Sequence, residues 1–306
     1  MKLLILLASI IFFMTGCESR LENRALKIGT NIWPGYEALH LAKEEKFFTQ
    51  NIKTHTYESA TIVLDKFRKK EIDAAALTLD EVILLKDQGY SPTIVAVLDI
   101  SNGADVVIAQ NSIKSIQELK GKSIGVENSA LGSYMLARIL EKANLEYKDI
   151  ILVPIGLERH EDAFKENIVD AVITFDPVRS RLLQAGGVEI FSSKDIPGEI
   201  VDVLVVQKKL ADSKVIKSIL EGWSKSVSII NKRDERAIRI VSKRLNQTPK
   251  EFIASLEGLK IPSLEESDNL MKDGRLENTI TKIGEIMYEK RFIRSKINPG
   301  DIIKSN

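Results

Sequence analysis

From Leu26 onward, short apolar runs alternate with longer amphipathic ones, and this alternation limits the fold more than any other feature of the chain. Leu26–Thr30 has the β-branched, apolar character of a strand, and Tyr36–Phe48 follows with helical spacing. Ile52–Tyr57 and Asp73–Leu77 read as strands, with a helix over Ala60–Lys70 between them. Asp80–Gln88 reads as the next helix and Thr93–Asp99 as the next strand. Repeated strand–helix–strand units of this kind build a mainly parallel sheet covered by helices on its faces.

A second set starts near Ala104. Asp105–Ala109, Ser123–Val126, Ile150–Ile155, Ala171–Thr174 and Glu189–Phe191 read as strands. Ser115 with Glu118 forms a capping box for a short helix, Leu131–Ala143 is a longer one, and helices from Glu161 and Val178 separate the later strands. Val201–Val206 reads as a strand that returns to the first set, and beyond about Lys208 the pattern is nearly all helical. Thr248-Pro249 with Glu251 is a strong helix start, with an N-cap, a proline at the first position and a glutamate at the third. The chain has 306 residues, about enough for two domains of ordinary size. The expected architecture is therefore two α/β lobes. Residues 26–103 with 207–306 form the first and residues 104–206 the second, and the chain crosses between them twice, with hinges near Gly103 and Val203.

Charge and reactive residues narrow the function. The formal net charge is +1, so there is no basic footprint for nucleic acid. Cys17 is the single cysteine, which excludes an intrachain disulfide and a cysteine-rich metal site. His40, His55 and His160 are widely separated, with no base partner at close spacing, and each reads as structural or surface. There is no phosphate-binding GxxxxGK[ST] loop, and no cofactor or metal is expected.

The N-terminus sets the compartment. Lys2 precedes the apolar run Leu3 to Met14, which ends in Thr15-Gly16-Cys17. The run is shorter than the ~20 residues of a membrane span. It resembles a bacterial lipoprotein signal cut before a cysteine that carries lipid, although Met14 stands where such signals usually have leucine. Residues 1–16 are then the signal, Cys17 the lipidated residue, and residues 17–25 a polar tether.

In a sheet of this type, functional residues sit in the loops just after the strands. Trp33-Pro34-Gly35-Tyr36 follows the first strand and makes a rigid aromatic turn, suited either to a ligand or to plugging the lobe core. Thr78 and Glu81, after the third strand, fit a capping box. Asn102 lies in the turn at the first crossing, and Ser129 lies among small polar residues at a helix start. Phe175-Asp176-Pro177 ends the list, with Asp176 also read as a helix cap.

Four segments together resemble one family. LKIGTNIWPGYEALHLAKEEKFF (Leu26–Phe48), IDAAALTL (Ile72–Leu79), IQELKGKSIGVE (Ile116–Glu127) and VDAVITFDP (Val169–Pro177) are similar to the nitrate/sulfonate/taurine and thiamine-pyrimidine (NMT1-like) periplasmic binding proteins of ABC transporters. The resemblance implies the two-lobe type II periplasmic-binding-protein fold, with a small ligand held in the interlobe cleft. It also implies a monomer that delivers its ligand to an ABC permease and catalyses nothing. Trp33, Gly35, Tyr36, Thr78, Asn102, Ser129, Phe175 and Asp176 are the positions it points to as ligand contacts. No basic residue that would hold a sulfonate or nitrate stands in these loops. Glu37, Asp80, Asp99, Asp105, Glu127, Asp176 and Asp202 stand at or near strand ends instead, and if several face the cleft they favour a nitrogenous or cationic ligand. The alternatives are a ligand-sensing partner of a membrane receptor kinase and a pyrimidine or menaquinone biosynthesis enzyme of related fold.

Overall fold

Residues 24–304 are described by the computed structural model; the leader, Cys17 and most of the expected tether lie outside them. Four strands come first: β1 (Leu26–Thr30), β2 (Ile52–Thr56), β3 (Ala74–Thr78) and β4 (Pro92–Ser101). Helices α1 (Glu37–Glu44), α2 (Ala60–Arg68) and α3 (Leu79–Asp87) connect them. β3 is buried along its whole length because it has a neighbour on each side and helices on both faces, which explains its Ala-Ala-Ala-Leu-Thr sequence. β5 (Val106–Ala109), β6 (Ser123–Val126), β7 (Ile151–Pro154), β8 (Ala171–Thr174) and β9 (Val188–Ser192) follow, with α4 (Ala130–Ala143), α5 (Leu157–Lys165) and α6 (Val178–Gln184). β10 (Val201–Gln207) leads to α7 (Lys214–Asn231), α8 (Glu235–Arg244), α9 (Pro249–Ser255), α10 (Leu264–Lys272) and α11 (Arg275–Glu289), interrupted by the short β11 (Leu259–Lys260).

The strands form two sheets, ordered β11-β4-β10-β3-β1-β2 and β7-β6-β8-β5-β9. β1–β2, β1–β3, β6–β7 and β6–β8 pair in parallel, as the sequence predicts. The expectation of mainly parallel sheets is corrected at β10 and β5: each runs antiparallel to both of its neighbours, and β11 pairs antiparallel with β4. The reason is the crossing. A chain that leaves one sheet at the C-terminal ends of its strands enters the other from the same side, so its first strand there must run the opposite way. β5 and β10 are those two strands.

Alternate residues of β10 feed two core layers, Leu204 and Val206 on one face, Val203 and Val205 on the other. Trp223 of α7 is completely buried in the first layer. The C-terminal segment returns to β4, where the Ile94 and Lys304 amides bond across to Ile302 and Ile94 carbonyls.

Several local expectations shift. The Ser115 start makes only a 3-10 turn, Ile116–Leu119, and the two-residue β11 interrupts the helical C-terminal part. Arg24, assigned to the tether, is already seated on the fold through a two-pronged ion pair with Asp73. Val203 is not a crossing point, since it lies fully buried inside β10 in register with Leu77 and Val97. The two connections between the sheets run through Asn102–Asp105 and through Ser193–Ile200. Gly103 supports the first with φ +110°, a region open to glycine.

Ser193 ties these connections together. Its buried hydroxyl accepts from the Gly103 amide at 2.6 Å and lies 2.7 Å from Ser101 Oγ. Ser193→Ala leaves the Gly103 N–H buried without that acceptor, and is expected to lower unfolding free energy by about 1–3 kcal/mol in urea titration. An unchanged midpoint would show that the hydroxyl carries no load.

Candidate functional site

The turn after β1 supplies an aromatic corner. Pro34 starts a 3-10 turn over Pro34–Tyr36, and Trp33 before it is extended, so the indole swings back toward β4. Its Nε1–H donates to both carboxylate oxygens of Asp99, at 3.2 and 3.3 Å. Phe175, from the end of β8 in the other sheet, stands edge-on to the indole with 5.2 Å between ring centroids. Tyr36 packs against Trp33 and donates its hydroxyl to Asp202 Oδ1.

Strand register then collects acidic groups. Asp202 of β10 is opposite Thr78 of β3 on one side and Asp99 of β4 on the other. This row lies where β3 and β4 end and β10 begins. Glu81, in the first turn of α3, turns back to accept from the Thr78 amide at 3.0 Å. Asp105 arrives from the other sheet, just before β5, its amide donating to Ser101 Oγ. Glu127 and Ser129 follow β6, and Ser129 caps α4 by accepting from the Gly132 amide at 3.0 Å.

These groups surround a small cavity between the sheets, with about 20 Å³ of free space. Trp33, Tyr36 and Phe175 form its aromatic side, and Glu81, Asp105, Glu127 and Asp202 its acidic side. Asn31, Ala60, Thr78, Ser129, Leu131 and Ile200 complete the wall. Among the described residues, no lysine, arginine or histidine lines it.

Burial without a cation pushes the acids toward their neutral forms. Asp105 is raised to about 7, chiefly by burial. Asp202 is held well above the usual carboxylate range by burial and then by the charge of Asp99, and Asp99 is raised by its own burial. Burial also raises Glu81, with the Asp80 charge next in importance. One oxygen of each of Glu81, Asp105 and Asp202 is buried with no hydrogen-bond partner among the described residues. No three His, Cys, Asp or Glu side chains among those residues are grouped to hold a metal ion.

Of the positions read from the sequence, Trp33, Tyr36, Thr78, Ser129 and Phe175 meet on this cavity. Three do not. Gly35 lies behind the aromatic corner, where a Cβ would fall 2.0 Å from Asp99 Oδ2, so its role is to let Trp33 reach Asp99. Asn102 is exposed and does not line the cavity; its backbone N–H donates to the Gly258 carbonyl in the crossing turn. Asp176 is buried as a helix cap, accepting from the Ser180 amide at 3.1 Å and pairing with Arg179 at 3.6 Å. The sequence reading took Glu81 only as half of a capping box, and it left open which strand-end acids face the cavity. Of those, Asp105, Glu127 and Asp202 line it, Asp80 and Asp99 are buried beside it, and Glu37 instead pairs with Arg244. The histidines sit elsewhere. His40 lies among Thr30, Thr54 and Thr56, and His160 between Thr174 and the Ile155 carbonyl.

Comparison with known proteins places this arrangement. Residues 19–245 match the model of the NMT1-like family. The chain belongs to the NMT1-like family. A putative aliphatic sulfonates-binding protein of Escherichia coli is 23% identical over 301 residues, 95% of this chain and 92% of the relative. The alkanesulfonate-binding protein SsuA from Xanthomonas axonopodis pv. citri bound to MOPS superposes with a TM-score of 0.78 at 15% identity, over 92% of this chain and 99% of that one. The periplasmic nitrate-binding protein NrtA from Synechocystis PCC 6803 gives 0.72 at 12% identity, over 92% and 86%. These superpositions show that this NMT1-like chain has the periplasmic-binding-protein fold.

The cavity acids give a signed pH dependence. A carboxylate raised in the fold holds its proton through a range, from about pH 4 upward, in which the unfolded chain has released it, so stability falls as pH rises through that range. His40 and His160 are lowered by burial, to about 3 and about 4, and act in the opposite sense up to about pH 6.5. Above about pH 6.5 only the acids still contribute, and the melting temperature of the ligand-free protein is expected to fall toward pH 8. Asp105→Asn should flatten that slope in calorimetric scans, and a slope unchanged by the substitution would refute the assignment.

Proposed function

We propose that this chain is the extracytoplasmic solute-binding component of an ABC-type importer, and that it captures a nitrogenous, cationic small molecule in the cavity between its sheets. The family, the fold and the sulfonate- and nitrate-binding relatives support the solute-binding role. The leader and Cys17 support anchoring by lipid outside the cytoplasm, with a membrane permease as the partner.

One observation carries the ligand's charge. Glu81, Asp105 and Asp202 each bury an acceptor with no donor, on a cavity whose wall among the described residues lacks any cation. A buried unpaired acceptor is costly, and a buried unpaired carboxylate more so. A ligand that brings several N–H donors and a positive charge removes both costs at once. A sulfonate or nitrate would add a further negative charge to the same space. The aromatic side, with Trp33 foremost, suits a cation as well.

Trp33 and Phe175 touch across the two sheets, so a ligand that enters must insert beside that contact and favour the closed arrangement. It shifts the open–closed balance only by its preference for the closed form. Calorimetric titration with paired panels, organic ammonium compounds against sulfonates and nitrate lacking an amino group, tests the ligand class. Tight binding by members of the ammonium panel alone is expected. Tight binding by the anions alone would overturn it. Trp33→Ala should weaken the ammonium ligand by about 1–3 kcal/mol. An unchanged affinity with a lower melting temperature would assign Trp33 to core packing only.

A further inference from the structure

The acidic cavity is too small for a whole solute. About 20 Å³ of free space is roughly the room one water molecule needs. An ammonium group fits there, but the carbon skeleton that carries it must lie elsewhere. A second cavity has about 270 Å³ of free space, and Ser129 lines both.

The walls of this second cavity have two characters. Leu64, Leu84, Met287 and Phe292 make an apolar surface drawn from α2, α3 and the C-terminal part of the chain. Arg68, at the end of α2, contributes a guanidinium to the same cavity. Its Nε is buried and has no hydrogen-bond partner, and the side chain takes part in no ion pair, among the described residues. Arg68 as a whole is half-buried, but its buried Nε–H is left without an acceptor, which carries a cost. The planar fork of arginine matches a carboxylate or similar oxyanion.

The linings of the two cavities reach opposite ends of α2. Ala60 lines the first cavity and Arg68 the second, at opposite ends of α2. Eight residues of helix rise about 12 Å, and the arginine side chain leans back toward the helix start and shortens that span.

We infer that the ligand is an elongated zwitterion. Its ammonium end sits among Glu81, Asp105 and Asp202, its apolar spacer runs past Ser129 along Leu64 and Met287, and its oxyanion end meets Arg68. This rests on the cationic reading of the first cavity and adds the opposite end of the molecule.

Calorimetric titration with two length-matched series, linear ω-amino carboxylates and linear alkylamines, tests it. Affinity should rise with length in the first series until the carboxylate reaches Arg68. There the zwitterion should exceed the alkylamine of equal length by roughly tenfold to a hundredfold, the value of a charge-assisted pair. Arg68→Gln should abolish that advantage while leaving the alkylamine affinity unchanged, and Arg68→Lys should restore part of it, with melting curves confirming that both variants fold. Equal affinity of the two series at every length would overturn the zwitterion and leave the cationic reading standing. So would an Arg68→Gln loss that is the same for both series. Failure of every amine in both series would overturn the cationic reading and the zwitterion together.

Discussion

The placement of β10 between β3 and β4 is the constraint on which the site depends. Because β10 enters from the other sheet, it runs against both neighbours and brings Asp202 to the ends of β3 and β4, opposite Thr78 and Asp99. Two like charges directly opposite on neighbouring strands repel, and burial adds to the cost of ionising either. The structure meets part of that cost with Tyr36 on Asp202 and Trp33 on Asp99. It leaves Asp202 Oδ2 buried without a hydrogen-bond partner among the described residues.

The cavity therefore stores an unfavourable arrangement at the seam between the two sheets. β1, β3 and β10 are buried by ordinary apolar contacts, and the seam is held by Ser193, Ser101 and Gly103 on the crossing side and by Trp33 against Phe175 on the cavity side. Glu199 shows the contrast. It is buried too, but Arg138, Tyr134 and Lys282 surround it, and its carboxyl is held below the usual range by Arg138 first, then Tyr134 and Lys282, against the opposing effect of burial. The same residue type is stabilised at one place and left exposed to repulsion at another, according to whether the protein provides a cation. Such unmet groups cluster at functional sites.

Much of the fold was legible in the sequence. The bounds of β1, β6 and β8 coincide with the apolar runs, and the Thr248-Pro249 start of α9 has the capping box its residues predict, because these features rest on local periodicity and turn chemistry. Trp33, Tyr36, Thr78, Ser129 and Phe175 were singled out because each follows a strand, and they line one cavity. Asn102, Gly35 and Asp176 follow strands too, and sequence position cannot tell which way a turn directs its side chains. Glu81 was hidden by a correct local reading, since a capping glutamate and a cavity acid are the same residue seen from two distances.

The sequence by itself determined most of the element order and the shortage of basic residues in the loops after the strands, both of which are properties of neighbours along the chain. Only the tertiary structure decided that β5 and β10 run reversed, that Asp202, Asp105, Glu81 and Glu127 converge, and that Arg68 lines a second cavity that shares Ser129 with theirs. Those facts depend on register between strands and on the approach of two lobes, which are set by burial over the whole molecule and leave no mark in any short stretch of residues.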